Sequence, residues 1–336
     1  MLKDSCGRII DYLRISITDR CNLRCLYCMP PEGVEWKPHG SIISFEQILR
    51  ITEITARLGI KKIRITGGEP LLRRGVSAFM KNLKAIPGIE SLTLTTNGLL
   101  LQSYLDEAGQ SGMDPLPDGM NISFNALNKD RYRLITRCGN TEPPDIIAII
   151  DRLLEKKINV KVNCVPLRTV NDDEIIPITF LAKDRNITVR FIELMPIGTA
   201  ALYQFVSGKE IKNMIEKEFG SLTHQNDKPY ASSVNGPAVN YSLVDFKGKI
   251  GFINAMTHGF CETCNRLRLT SEGFLKLCLS NDLGLDLKQL LVSGASDDDI
   301  SLSIIKAVYN KPRFHTLSDY YVPQENHPEG MYKIGG

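Results

Sequence analysis

The sequence predicts an α/β fold in which about six βα units form an open, incomplete barrel, followed by a C-terminal extension. Short apolar runs alternate with helical patterns over the first two thirds of the chain, the pattern of a parallel sheet built from βα units. Six strand-like runs occur, near 12–18, 62–66, 91–96, 120–125, 159–165 and 188–194, which is short of the eight that close a barrel. Residues capable of chemistry cluster just after these runs, where βα folds gather their reactive groups.

The elements follow in order. The run Tyr12-Leu13-Arg14-Ile15-Ser16-Ile17-Thr18 reads as a buried strand. Ser44 with Gln47 makes a capping box, Phe45, Ile48, Leu49, Ile51, Ile54 and Leu58 recur at helical spacing, and Gly59 supplies a stop, so a helix is expected over 44–58. The second strand ends in Thr66-Gly67-Gly68-Glu69-Pro70. Paired glycines let a ligand approach the backbone, and a carboxylate can accept from an ammonium group. Further helices are expected near 74–85, 99–109, 145–156 and 172–184. Thr95-Thr96-Asn97-Gly98 after the third strand and Ser123 on the fourth offer hydroxyls to the same mouth. The polar stretch 221–240 has no apolar period and reads as a linker or lid. It divides the chain into a core over 1–220 and a C-terminal region over 221–336. Tyr241–Phe246 and Ile250–Asn254 read as a hairpin.

Two cysteine triplets carry the chemistry. Cys21-x3-Cys25-x2-Cys28 follows the first strand. Soft thiolates select iron–sulfur clusters, zinc or copper(I), and a cubane held by three cysteines keeps one iron open for a ligand. A structural zinc knuckle usually pairs two Cys-x2-4-Cys units, so this spacing suits it poorly. Cys261-x2-Cys264-x13-Cys278 is the second set. His258 lies three residues upstream, and spacing alone leaves a four-coordinate zinc site open there.

Composition bounds these readings. With 336 residues, 43% hydrophobic and 24% charged, the chain suffices for one large or two ordinary domains. No run approaches the roughly 20 apolar residues of a membrane span. No secretory signal is visible, and nine cysteines then favour a reducing, cytoplasmic setting in which thiols serve metals. A net charge of +3 with dispersed basic residues argues against a nucleic-acid surface. It is compatible with a small anionic ligand.

The segment Asp19-Arg20-Cys21-Asn22-Leu23-Arg24-Cys25-Leu26-Tyr27-Cys28 resembles the cluster loop of the radical S-adenosylmethionine superfamily, whose fold is an incomplete (βα)6 TIM-type barrel. Gly259-Phe260-Cys261-Glu262-Thr263-Cys264-Asn265-Arg266-Leu267-Arg268-Leu269-Thr270 and Leu277-Cys278-Leu279 resemble one family within it, the MoaA-type GTP 3′,8-cyclases of molybdenum cofactor biosynthesis. Val162–Val165, Arg190–Pro196 and the terminal Ile334-Gly335-Gly336 extend the likeness along the chain. The resemblance implies two 4Fe–4S clusters. One, on Cys21, Cys25 and Cys28, binds S-adenosylmethionine and cleaves it to a 5′-deoxyadenosyl radical. The other, on Cys261, Cys264 and Cys278, binds the guanine of GTP. It further implies hydrogen abstraction from C3′, addition to C8, and a product taken up by a separate MoaC-type synthase.

Carried over by position, Tyr27, Gly67, Gly68, Glu69, Ser123 and Met195 would contact S-adenosylmethionine. Arg14, Lys62, Arg64, Thr95, Lys161, Arg266 and Arg268 would contact GTP, with Arg14, Arg266 and Arg268 on the triphosphate and Gly335-Gly336 entering the active site. Guanidinium groups suit this because they grip phosphate oxygens in pairs and stay charged. Phe124-Asn125-Ala126 departs from the family's usual Leu-Asp-Thr or Leu-Asp-Ser, and the proline-rich loop 111–119 is longer than expected. Cys6, Cys138 and Cys164 fall outside both sets and read as incidental thiols. The rivals are a peptide-modifying radical enzyme and a zinc-stabilised binding module. The electron donor and the oligomeric state, a homodimer included, stay open.

Overall fold

A computed structural model describes residues 1–110, 116–139, 141–225, 236–315 and 330–334. The six expected strands form as β1 (Tyr12–Ser16), β2 (Lys62–Thr66), β3 (Ser91–Thr96), β4 (Gly119–Ser123), β5 (Asn159–Cys164) and β6 (Thr188–Ile192). They pair in sequence order and in parallel. Every residue of β1 is buried, Arg14 and Ser16 as well as Leu13 and Ile15, since a parallel sheet is covered on both faces.

The helix expected over 44–58 is α1 (Phe45–Arg57), and its cap is the one the sequence announces. Ser44 Oγ accepts from the Gln47 N–H at 3.2 Å, while Gln47 Oε1 accepts from the Ser44 N–H at 3.0 Å. Ile48, Ile51 and Ile54 face the core, and Gly59 turns the chain away at a φ of 110°. Next come α2 (Val76–Ala85), α3 (Leu101–Gln110), α4 (Lys129–Thr136), α5 (Ile146–Glu155), α6 (Ile175–Phe180) and α7 (Gly208–Phe219). The 172–184 helix is shorter than expected, because a 3-10 turn over Asp172–Glu174 precedes α6. Neither α4 nor α7 was expected. The strongly charged run Lys129–Thr136 conceals α4, although Asn128 caps it, and Ser207 with Glu210 is a capping box for α7.

After α7 the chain returns to both edges of the sheet. The expected hairpin forms as β8 (Val239–Ser242) with β9 (Lys249–Ile253), but its first strand starts and ends earlier than the expected 241–246, and with the two-residue β7 (Thr223–His224) it places strand pairing at both ends of the stretch expected to be a linker or lid. β9 lies parallel to β6. On the opposite edge β10 (Arg266–Leu269) lies parallel to β1, followed by β11 (Phe274–Lys276) and β12 (Gly284–Asp286). The helices α8 (Leu287–Val292), α9 (Asp297–Tyr309) and α10 (Met331–Ile334) complete the described chain. The strand order β12-β11-β10-β1-β2-β3-β4-β5-β6-β9-β8-β7 has two ends that do not pair with each other among the described residues. The fold is therefore an open barrel, as expected, with eight parallel strands in its middle rather than six. Among the described residues no helix is long and apolar enough to cross a membrane. Much of the 221–240 stretch and of the 111–119 loop, together with Gly335 and Gly336, lies outside the described residues.

Candidate active site

Alternation along each strand sends every second side chain to the concave face. A cavity of about 290 Å³ runs along that face, with the two cysteine triplets in its wall. Topology puts them at opposite ends. Cys21, Cys25 and Cys28 follow the carboxyl end of β1, whereas Cys264 stands two residues before Arg266, which is level with Tyr12 at the start of β1. β11 runs antiparallel to β10, so Cys278, just beyond β11, returns to the amino end.

The first thiol loop is held by the glycine pair. The Gly68 N–H donates to Thr18 O and the Glu69 N–H to Arg20 O, both at 2.7 Å. A Cβ on Gly67 would stand 2.7 Å from Thr18 O, and one on Gly68 2.2 Å from Arg20 O. The close approach that demands glycine here is thus by the cysteine loop's own backbone, and both glycines also line the cavity. The buried Glu69 carboxylate accepts from Leu71 N–H, Thr96 Oγ–H and Asn97 N–H at 3.1, 2.8 and 2.7 Å. It clamps the loops after β2 and β3 together and is not part of the cavity wall. Burial pushes it up to about 7 despite those donors.

Burial also pushes the Cys21 thiol up to about 11 and the Cys28 thiol up to about 12. Cys25 is raised by burial and then by its two neighbouring thiols. Three clustered sulfurs that resist ionising by themselves suit a cationic iron core, whose charge offsets that cost. The Leu23 N–H at 3.4 Å and the Asn97 amide at 3.8 Å already point to Cys21 Sγ. Among the described residues, no three His, Cys, Asp or Glu side chains close around a single-ion site. A cubane does not require that, because each cysteine binds a different iron.

Tyr27, Ser123 and Met195 line the cavity beside this loop. The departure at Asn125 proves well accommodated. Its Oδ1 accepts from the Val165 N–H at 2.9 Å, which fixes the amide's orientation, and its Nδ2 donates to Tyr27 Oη at 2.8 Å.

At the second triplet the electrostatics differ. Burial raises Cys264, but Arg266 and Lys311 outweigh it and bring the thiol down to about 7. Cys261 is raised by burial and by the other two sulfurs of its set. Arg266 lies over the Phe260 ring, 4.7 Å from its centroid.

Between the triplets the wall is cationic. Register pairs Arg268 with Arg14 and Arg14 with Arg64, so three arginines stand side by side on β10, β1 and β2. Arg266, Tyr12 and Lys62 form the adjacent rung. Like charges on neighbouring strands repel. Burial and the adjoining arginines hold Arg14 well below its usual range. Burial and Arg266 bring Arg268 down to about 10. Arg190, which the sequence reading did not single out, also lines the cavity, with Asn163 and Asn121 oxygens accepting from it at 2.9 and 2.5 Å. Burial and Arg64 bring it down to about 9. Its sequence signal was a lone charge in an apolar strand.

Among the described residues the one acid in the wall, Glu193, is occupied. It accepts from the N–H groups of Gly208, Met256 and Thr257 and from the Thr257 hydroxyl. Thr95 Oγ1 is buried in the wall with no hydrogen-bond partner among the described residues, as fits a ligand contact. Lys62 and Lys161 stand outside the wall. Lys62 pairs with Asp11 at 3.3 Å, and Lys161 is brought down to about 7 by burial and by Arg190 and Arg64. Met331 and Tyr332 of α10 line the cavity, the Tyr332 backbone hydrogen-bonds to Cys28, and Tyr332 stands three positions before the first terminal glycine.

The family model described as Radical SAM superfamily matches residues 15–182, and that described as Molybdenum Cofactor Synthesis C matches residues 187–317. The GTP 3′,8-cyclase of Clostridium perfringens is 42% identical over 335 residues, spanning 100% of both chains. That of Thermodesulfovibrio yellowstonii is 44% identical over 316 residues, 93% of this chain and 95% of its own. Among solved structures, Streptococcus suis SuiB bound to S-adenosylmethionine superposes with a TM-score of 0.54 at 14% identity, over 90% of this chain and 68% of that one. At that identity the likeness is one of fold.

Proposed function

The chain belongs to the radical S-adenosylmethionine superfamily and, within it, to the GTP 3′,8-cyclase family, and on that footing we propose how its own residues carry the reaction. It acts on GTP with S-adenosylmethionine and a 4Fe–4S cluster. The reaction takes the hydrogen from C3′ and joins C3′ to C8, giving 3′,8-cyclo-7,8-dihydro-GTP. When bound, cluster and S-adenosylmethionine supply the 5′-deoxyadenosyl radical that this hydrogen transfer needs.

Cys21, Cys25 and Cys28 would hold that cluster, and three ligands leave an iron open. Gly67 and Gly68 fix the loop, while Tyr27, Ser123 and Met195 orient the cofactor. Cys261, Cys264 and Cys278 would hold a second cubane at the other end, with an open iron for guanine. Arg14, Arg64, Arg266 and Arg268 grip the triphosphate between them, and Thr95 contributes a hydroxyl. The barrel wall excludes water, which keeps the radical from side reactions. The product passes to a separate MoaC-type synthase.

The observation that carries this reading is the rung of Arg268, Arg14 and Arg64. Three guanidinium groups side by side in the cavity wall present a surface matched to an anion of several charges, which they can grip through paired, charge-assisted hydrogen bonds. Anaerobic incubation with GTP, S-adenosylmethionine and a reductant is expected to yield the cyclised nucleotide together with 5′-deoxyadenosine. Formation of 5′-deoxyadenosine with GTP recovered unchanged, under conditions in which both clusters are loaded, would contradict it.

A further inference from the structure

Two buried cations outside both cysteine motifs tie the second triplet's three segments together. Arg8 and Lys311 are only 8% and 4% exposed. Arg8 Nε pairs with Asp4 at 2.5 Å. Its Nη1 donates to Cys261 O at 2.7 Å and Arg313 O at 3.1 Å, and its Nη2 to Pro312 O at 2.7 Å and Lys311 O at 3.3 Å. Asp4 in turn accepts from the N–H groups of Cys6 and Arg8, which closes the N-terminal turn around the guanidinium. Lys311 Nζ donates to Arg266 O at 3.0 Å and to Leu277 O. Those carbonyls lie two residues after Cys264 and one before Cys278. Each cysteine segment of the set therefore ends on one of the two cations, and the backbone of 311–313 joins the cations to each other.

Nothing in nucleotide binding calls for Arg8, which is not in the cavity wall. A buried guanidinium that spends its donors on four carbonyls is an expensive device unless it fixes geometry. Lys311 does more than hold backbone. Cys264 and Cys278 both attract its charge, and an oxidised cubane on three thiolates carries one net negative charge. A cation fixed there stabilises the cluster, and stabilises its more negative reduced form further.

We propose that Arg8 and Lys311 are positioning residues for the second cluster: together they hold its three cysteine segments in place, and Lys311 sets its reduction potential. The proposal rests on the two-cluster reading above. It is tested on full-length enzyme reconstituted anaerobically, by iron analysis and by potentiometric EPR. Wild type is expected to hold about eight irons as two cubanes. Arg8→Met and Lys311→Met are expected to fall towards half of that, with the first cluster's EPR signal retained as the internal check on folding.

The milder Arg8→Lys and Lys311→Gln should load more completely but lose second-cluster iron to a chelator faster than wild type. Lys311→Gln should also shift that cluster's potential to more negative values, whereas Arg8→Lys should not. Wild type with four irons, or with stoichiometric zinc, would remove the second cluster itself. Wild type with eight irons, alongside milder variants that match it in chelator loss and potential, would overturn the proposal while leaving the cluster standing.

Discussion

Replacing Cys21, Cys25 and Cys28 with alanine is expected to abolish S-adenosylmethionine cleavage, whereas replacing Cys261, Cys264 and Cys278 should spare uncoupled cleavage and eliminate cyclisation of GTP. The separation follows from topology. The first set follows the carboxyl end of β1, locked to the loop after β2 through Gly68 and Glu69. The second approaches the amino end of β10 and hangs on Arg8 and Lys311. No described hydrogen bond joins one cysteine loop to the other, so loss of one set should leave the other's loop in place. Quantifying 5′-deoxyadenosine and cyclised nucleotide from each triple variant checks this. Loss of all cleavage in the second variant, with the first cluster's EPR signal intact, would show that the two ends do not act separately.

Arg14→Met, Arg266→Ala and Arg268→Ala should each weaken GTP binding about ten- to a hundredfold, since a charge-assisted contact contributes roughly 1.5–3 kcal/mol. The effect of Arg14→Met and Arg268→Ala on the ligand-free fold should have the opposite sign or none. Arg14 and Arg268 stand on adjacent strands at the same level, and each is disfavoured by burial and by neighbouring arginines. Removing one relieves repulsion in the absence of nucleotide, the familiar exchange of stability for function at a binding site. Calorimetric titration with GTP and thermal melts of the ligand-free protein read the two quantities independently. Equal losses of GTP affinity, S-adenosylmethionine affinity and melting temperature would make these arginines structural.

Much of this site was legible in sequence because its parts are local. The cysteine spacings, the Gly67-Gly68-Glu69 segment and the Ser44 capping box all act within a few residues of themselves. The parts that were missed depend on pairing across the chain. Nothing near Arg268 indicates that β10 will lie against β1, so the arginine rung appears only once the sheet is assembled. Lys311 and Arg8 make their contacts with carbonyl groups, which leave no mark on residue type. The contacts that orient Glu69 are also non-local, since its oxygens meet Thr96 and Asn97 from the next strand's loop. The short α4 escaped notice because its exposed face is charged and its apolar face rests on only Tyr132 and Ile135.

The most direct test of the account is isotope transfer across the cavity. If the two triplets close the ends of one site and the arginines hold GTP between them, the sugar's C3′ must face the cofactor at the first triplet. Reaction of GTP deuterated at C3′ is then expected to place the deuterium in 5′-deoxyadenosine and to leave the cyclised nucleotide without it. Deuterium retained at C3′ in recovered GTP, with unlabelled 5′-deoxyadenosine accumulating, would mean that the ends of the cavity do not serve one substrate.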